Sequence, residues 1–182
     1  DEAEHVIVTL RLQHAGIRPD NIALLVGTGT HRPSTAGEKV AMFGLTEPGV
    51  GSDVANLSST AKRDGSDYII NGEKMWISLA TKAHHILWFA KTDPNAKDSH
   101  EGITAFMTDT SMKGVTRGDI HGKLGVRAGS TGWVNCADVR VPQENRIGEE
   151  GEGFRIAMSA LDNGRYTVGS GATGLIRASL EA

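Results

Sequence analysis

Between Val40 and Val141 the chain runs as a series of short strand-like segments: "VAMFGL", "SSTAKR", "DYIINGEKMWIS", "HHILWFAKT", "GITAFMTD", "GVTRG" and "GWVNCADVRV". They are rich in β-branched and aromatic residues and are separated by Gly, Asp, Asn, Pro and Ser. No other feature constrains the fold as tightly. Seven short strands over about a hundred residues argue for an antiparallel β-sandwich or barrel. Asp64-Gly65 and Asn71-Gly72 have the composition of tight turns.

On either side the hydrophobic period changes from strand-like to helical. Residues 2–15, "EAEHVIVTLRLQHA", place Val6, Ile7 and Leu10 near one face, with Gly16 as a stop. Asp20 is a candidate cap for a second short helix, "NIALLV", ending at Gly27. Residues 27–39, "GTGTHRPSTAGEK", have loop composition. Beyond Pro142, Phe154, Met158 and Leu161 recur at helical spacing, as do Val168, Ala172, Leu175 and Ser179. The expected architecture is α+β: a helical part over 1–37, a β domain over 38–148, and a second helical part over 149–182. Both helical parts are expected to be cut short.

Composition excludes several function classes. Hydrophobic residues make up 38% and charged residues 23%, so the chain can bury a core. Net charge is −3 and no Lys/Arg run exists, which argues against nucleic-acid binding by a basic stripe. No apolar run approaches the roughly 20 residues of a membrane span. Cys136 is the single cysteine, so no internal disulfide is possible. No signal or transit peptide is visible, and the chain does not begin with Met.

Common catalytic signatures are missing too. "GTGTHR" lacks the G-x-G-x-x-G spacing and leads into Pro33. Gly37 is followed by Glu38-Lys39, so there is no Walker loop, and no serine lies in G-x-S-x-G. His84 and His85 are adjacent, so on a strand they face opposite sides and do not chelate one ion. Without H-E-x-x-H or C-x-x-C, a metal centre has little support and none is expected.

One stretch stands out, "GLTEPGVGSD" (44–53), where a strand-like run ends in a Pro/Gly turn that gathers Thr46, Glu47, Ser52 and Asp53. Alone it reads as a strand followed by an ordinary turn, with Ser52-Asp53 capping what comes next. Two further spans follow, "NGEKMWIS" (71–78) and "LDNGRYTVGSGATGL" (161–175). In kind and order the three resemble the acyl-CoA dehydrogenases, a flavoprotein family. "DVRVPQENRIGEEGEGF" (138–154) resembles that family's passage from its β domain to its last helical domain.

The resemblance implies the end of an N-terminal helical domain, a complete middle β domain and the start of a C-terminal four-helix bundle. It implies FAD as cofactor and an acyl-CoA thioester as substrate, dehydrogenated to a trans-2-enoyl-CoA in fatty-acid β-oxidation. FAD takes the hydride from the β-carbon while a carboxylate removes the α-proton. By the same resemblance, Thr46 sits against the isoalloxazine ring, with Phe43, Gly44 and Leu45 giving backbone contacts. Gly49 and Gly51 allow a phosphate to approach, and Ser52 binds the pyrophosphate and lies near the pantetheine of CoA. Trp76, Ile77 and Ser78 are further cofactor contacts, the Trp76 indole covering one flavin face and Ser78 bonding toward N5. For Trp76 the ordinary alternative is a buried core tryptophan. Asp162 and Arg165, three apart on a helix, are implied to contact the pantetheine; otherwise they are a surface ion pair.

The sequence departs from the family pattern at several points. Val50 and Asn56 stand where small residues are customary. Gly164 occupies the position at which a minority of the family carries its catalytic glutamate, so the base is expected beyond residue 182 and no catalytic residue is assigned here. Glu47 is expected to be fixed beside a turn, and Glu149, Glu150 and Glu152 to form a solvated hinge. Gly169, Gly171 and Gly174 suit either close helix packing or a flexible stretch. Residues 27–39 are shorter and less helical than the family's usual approach to the first strand. The implied partners are electron-transfer flavoprotein and further copies of the chain, as a tetramer or dimer. The implied compartment is the cytoplasm if bacterial and the mitochondrial matrix if eukaryotic. An acyl-CoA oxidase, or a non-enzymatic family member acting as an interaction module, are the alternative readings.

Overall fold

The computed structural model describes residues 40–182; the expected helices over 2–15 and 21–26 lie outside them. The described strands are β1 (Ala41–Gly44), β2 (Thr60–Asp64), β3 (Asp67–Ser78), β4 (His85–Lys91), β5 (Ile103–Asp109), β6 (Val115–Asp119), β7 (Thr131–Pro142) and β8 (Arg146–Ile147). Each of the seven strand-like segments contains one strand, and the two-residue β8 is an addition. They form one sheet in the order β6-β7-β3-β2-β4-β5-β8, with β1 also beside β4. Most pairs are antiparallel, and no crossover helix intervenes. The two parallel contacts both fall on β4: β1 pairs with its first half, and Thr60 of β2 with its last residue, Lys91.

β4 explains why. Its residues Ile86–Ala90 are all buried, a continuous apolar run that needs cover on both faces. Ile86, Trp88 and Ala90 enter one core with Tyr68, Ile70, Phe106, Val134 and Val139. Leu87 and Phe89 enter a second core with Leu45, Leu57, Ile103, Ile147 and Ile156. The first core draws side chains from β3 and β7 as well as β4 and β5, so the sheet folds over on itself; the Tyr68 and Phe106 rings lie 4.8 Å apart across it.

Two irregularities in the β3–β7 pairing matter for function. Opposite Asn71 the register shifts, and β7 carries the extra residue beside Asp138, which adopts φ 51°. Asn71 bonds Asp138 twice, accepting from its N–H at 2.9 Å and donating to its carboxylate at 3.0 Å. Asn71-Gly72 is therefore not a turn but the anchor of a bulge inside the long β3–β7 antiparallel pair. Gly72 has φ 149°, and a Cβ there would lie 2.2 Å from Ser59 Oγ. Glycine is needed because another backbone passes directly over it. The second shift lies between Met75 and Ile77, and here the extra residue is Trp76.

Helix α1 (Gly153–Glu181) is one continuous helix covering both expected periodic stretches. Only its start is buried, through Gly153, Ile156 and Ala157. Gly153 lies against β5: an added Cβ would meet Thr104 C at 2.7 Å and Ile103 O at 2.8 Å. The expected hinge glutamates are engaged rather than merely solvated. Glu150 accepts from the Tyr68 hydroxyl and pairs with Arg63 at 3.2 Å and Arg146 at 3.7 Å, while Glu152 pairs with Arg155. Gly169, Gly171 and Gly174 face open space. Among the described residues no helix is long and apolar enough to cross a membrane.

Candidate functional site

At the end of β1 the backbone turns sharply. Glu47 N donates to Val50 O at 3.0 Å and Val50 N to Glu47 O at 3.1 Å, closing Glu47–Val50 into a two-bond turn through Pro48 and Gly49. Val50 is half-buried and packs against the second core. The larger side chain at this position is thereby absorbed inward. Gly51, Ser52 and Asp53 follow and are exposed.

Just before the turn, Thr46 O accepts from Met75 N at 2.9 Å. This bond joins the end of β1 to the bulge at Trp76. The bulge also rephases β3, whose buried residues are Tyr68, Ile70 and Lys74 before it and Ile77 after it. The extra residue is thrown outward: Trp76 is 59% exposed, with φ 62°. A large aromatic residue in the left-handed region is strained, and neighbouring Leu79 shares the condition at φ 64°. Trp76 is thus not a core tryptophan. The buried ones include Trp88.

The other expected site residues are placed as follows. Ile77 is 3% exposed, faces the first core and pairs with Gly132. Ser78 is exposed and pairs with Thr131. Phe43 is half-buried and meets Phe89 edge-on at 5.2 Å. Gly44 is buried, and Leu45 is buried with its carbonyl accepting from Lys74 Nζ at 3.2 Å. Asp162 and Arg165 bond each other at 2.6 Å on the exposed part of α1 and make no hydrogen bond or ion pair to the Thr46–Trp76 region.

Lys74 is the residue that motif reasoning missed. Its ammonium is fully buried, 2.8 Å from Glu47 Oε1 and 5.2 Å from the centre of the Trp88 ring. Glu47 also accepts from Ser58 N, from Ser58 Oγ at 2.6 Å and from Ser59 N at 3.0 Å. Burial pushes the Glu47 carboxyl upward, but the Lys74 charge and these donors outweigh it and bring the pKa down to about 2. Burial lowers Lys74 to about 8 against the pull of Glu47. Both groups are ionised at neutral pH. Glu47 is therefore a committed structural carboxylate, not a free base. Burial also pushes the Cys136 thiol up to about 12, which leaves it unreactive. A signal for Lys74 was present: it stands on the buried phase of a strand, and a lysine there needs an acid partner.

A folded-over sheet, an outward bulge tryptophan beside a hydroxyl-bearing strand end, and a helix following β8 describe a β domain that exposes Trp76 next to the end of β1. The chain belongs to the acyl-CoA dehydrogenase family: the model of the acyl-CoA dehydrogenase middle domain matches residues 42–139, just over half of it. The mitochondrial short-chain specific acyl-CoA dehydrogenase of Rattus norvegicus is 42% identical over 149 residues, 82% of this chain and 36% of that protein. The solved butyryl-CoA dehydrogenase of Megasphaera elsdenii superposes with a TM-score of 0.74 at 39% identity, over 80% of this chain and 38% of its own. A glutaryl-CoA dehydrogenase from Mycobacterium smegmatis, solved in complex with FADH2, gives 0.72 at 38% identity, over 80% and 36%. The chain thus spans little more than a third of the length of these relatives. A second model, the lactate racemase N-terminal domain, matches residues 4–59, most of which lie outside the described residues.

Proposed function

We propose that this chain is the flavin-facing part of an FAD-dependent acyl-CoA dehydrogenase that converts an acyl-CoA to a trans-2-enoyl-CoA. The observation that carries this reading is Trp76, exposed and strained in a bulge whose preceding amide bonds Thr46 O. Strain of about 1–3 kcal/mol persists at functional sites where the surrounding structure imposes it. The residues present fit a flat ring: an exposed indole, with the Thr46 and Ser78 hydroxyls on the neighbouring backbone. Thr46, Trp76 and Ser78 would hold the isoalloxazine, with backbone contacts from Phe43, Gly44, Leu45 and Ile77. Gly51 and the exposed Ser52 would meet the pyrophosphate.

When bound, FAD supplies the hydride acceptor. This chain's own residues bind, orient and exclude water. Trp76 would cover one face of the ring, and the Thr46 and Ser78 hydroxyls would meet charge that develops on its polar edge. Asp162 and Arg165 hold the CoA portion away from the reacting carbons. The α-proton acceptor would belong to a part of the protein outside these 182 residues, since Gly164 brings no carboxylate to its position and Glu47 is committed to Lys74. Domain limits of 38–148 for the β domain and 149–182 for the start of the helical bundle accompany this reading. Electron-transfer flavoprotein as acceptor and a homo-oligomeric assembly accompany it as well.

The test is flavin content and acyl-CoA-dependent dye reduction by the protein that carries this chain. The expected outcome is a yellow protein that forms enoyl-CoA, a Trp76→Ala variant with reduced flavin retention, and no turnover from the 182-residue chain alone. Peroxide release in air without a dye would favour the oxidase reading. A colourless protein with no turnover would favour the interaction module.

A further inference from the structure

The Glu47–Lys74 pair is fully buried, yet it lies between two segments whose outer sides are exposed. Glu47 follows Thr46 directly, and Lys74 precedes Trp76 by two residues. The same ammonium reaches Leu45 O at 3.2 Å, so it grips the β1 end on both sides of Thr46. Next along β3, Met75 N donates to Thr46 O at 2.9 Å. On the far side Glu47 receives Ser58 and Ser59, and Ser59 O accepts from Lys91 N at 2.8 Å. One ion pair thus ties together the end of β1, the entry to β2 and the bulge of β3.

Taking both charges out of water is costly, and a well-packed apolar pair of similar volume often gives equal stability. What an apolar pair lacks is direction. A carboxylate with four donors and an ammonium with two acceptors set the relative position of three backbones, whereas methyl groups do not. We infer that Glu47 and Lys74 are positioning residues that hold the Thr46 strand end and the Trp76 bulge together as one preformed wall, before any ligand arrives. That this wall receives a flavin ring rests on the proposed function above; its preformation does not.

The experiment labels this chain with 5-fluorotryptophan and follows the Trp76 fluorine resonance, identified by its loss in Trp76→Phe. Lys74→Met and Glu47→Leu are each expected to lower Tm and to shift or broaden that resonance. The double variant Glu47→Leu/Lys74→Met is the decisive case. It is expected to recover most of the lost Tm while the Trp76 resonance stays displaced. A double variant whose Trp76 resonance returns to the unsubstituted position would overturn the inference, because the pair would then only fill space. Amide exchange in the unsubstituted chain is an independent check. The Met75 amide is expected to be protected as well as the amides of β4, and exchange at the rate of the exposed loops would also overturn it. Adding FAD to the protein that carries this chain separates the two readings: a Trp76 resonance unmoved there would overturn the flavin assignment while the result on the pair stands.

Discussion

Lys74 and Trp76 are two residues apart and have opposite fates. Lys74 is a charge placed in a core, and Trp76 an aromatic ring placed in solvent. Both reverse the usual preference, and reversals of this kind gather where a structure is built for binding. The consequences for Lys74 are measurable. Lys74→Met leaves the Glu47 carboxylate buried without its counter-ion, so a loss of about 3–5 kcal/mol is expected in denaturant unfolding. The acid limb of stability provides a separate check. Glu47 has a folded pKa of about 2 against an ordinary 4.5. Between those values the unfolded chain binds the proton and the folded chain does not. Stability contributed by Glu47 is therefore complete above the ordinary value and is lost as pH falls toward 2. Glu47→Gln should flatten the acid side of the stability–pH curve in that window, and an unchanged acid slope would remove the carboxylate from the account.

At the scale of elements, the two irregularities in the β3–β7 pairing act differently. The one at Asp138 lies beside Gly72, which passes under Ser59, and the one at Trp76 turns a side chain out of the core phase. Helix α1 shows the same division of labour. Its first turn is fitted against β5, while its later turns are exposed. Glycine therefore has opposite meanings at its two ends. Gly153→Ala would force a methyl group against the β5 backbone and should cost about 1–3 kcal/mol, as overpacking does. Gly169→Ala meets nothing within 4 Å and should stabilise the isolated chain by up to about 1 kcal/mol through helix propensity. Thermal unfolding of the two variants side by side checks this. A destabilising Gly169→Ala in the whole protein, but not in the isolated chain, would mark a helix packed against that position.

For the whole molecule, the two cores share β4 and β5, so the domain's stability and the placement of its exposed edge are linked through these neighbouring strands. The exposed length of α1 carries Asp162 and Arg165, whose side chains are tied, among the described residues, by their mutual bond. A surface pair of that kind is worth little to stability. If Arg165 instead holds the CoA portion of a substrate, Arg165→Ala removes a charge-assisted hydrogen bond of roughly 1.5–3 kcal/mol. In the protein that carries this chain, kcat/KM should then fall about tenfold or more with flavin content unchanged. Some of that loss is expected in kcat, because remote contacts orient the thioester. Steady-state kinetics beside the flavin absorbance decides between the two roles, and unchanged kinetics would leave only the surface pair.

The sequence by itself determined the order and kind of the described elements. Strand alternation, turn residues and helical spacing are local properties, so seven strands and the C-terminal helix were legible from Val40 onward. The motif spans that signal the family were legible for the same reason, since each is a short contiguous string. Asn71-Gly72 misled because a composition that suits a tight turn also suits a bulge anchor, and the choice depends on Asp138, 67 residues away. What only the tertiary structure decided were relations between distant residues. These include the Glu47–Lys74 pair, the bond from Met75 to Thr46, the inward turn of Val50 and the capture of Glu150 by Tyr68 and Arg63. Burial and charge pairing depend on which strands become neighbours. In this sheet β1 joins β4 across about forty residues, and β3 joins β7 across more than fifty, distances over which no local period carries information.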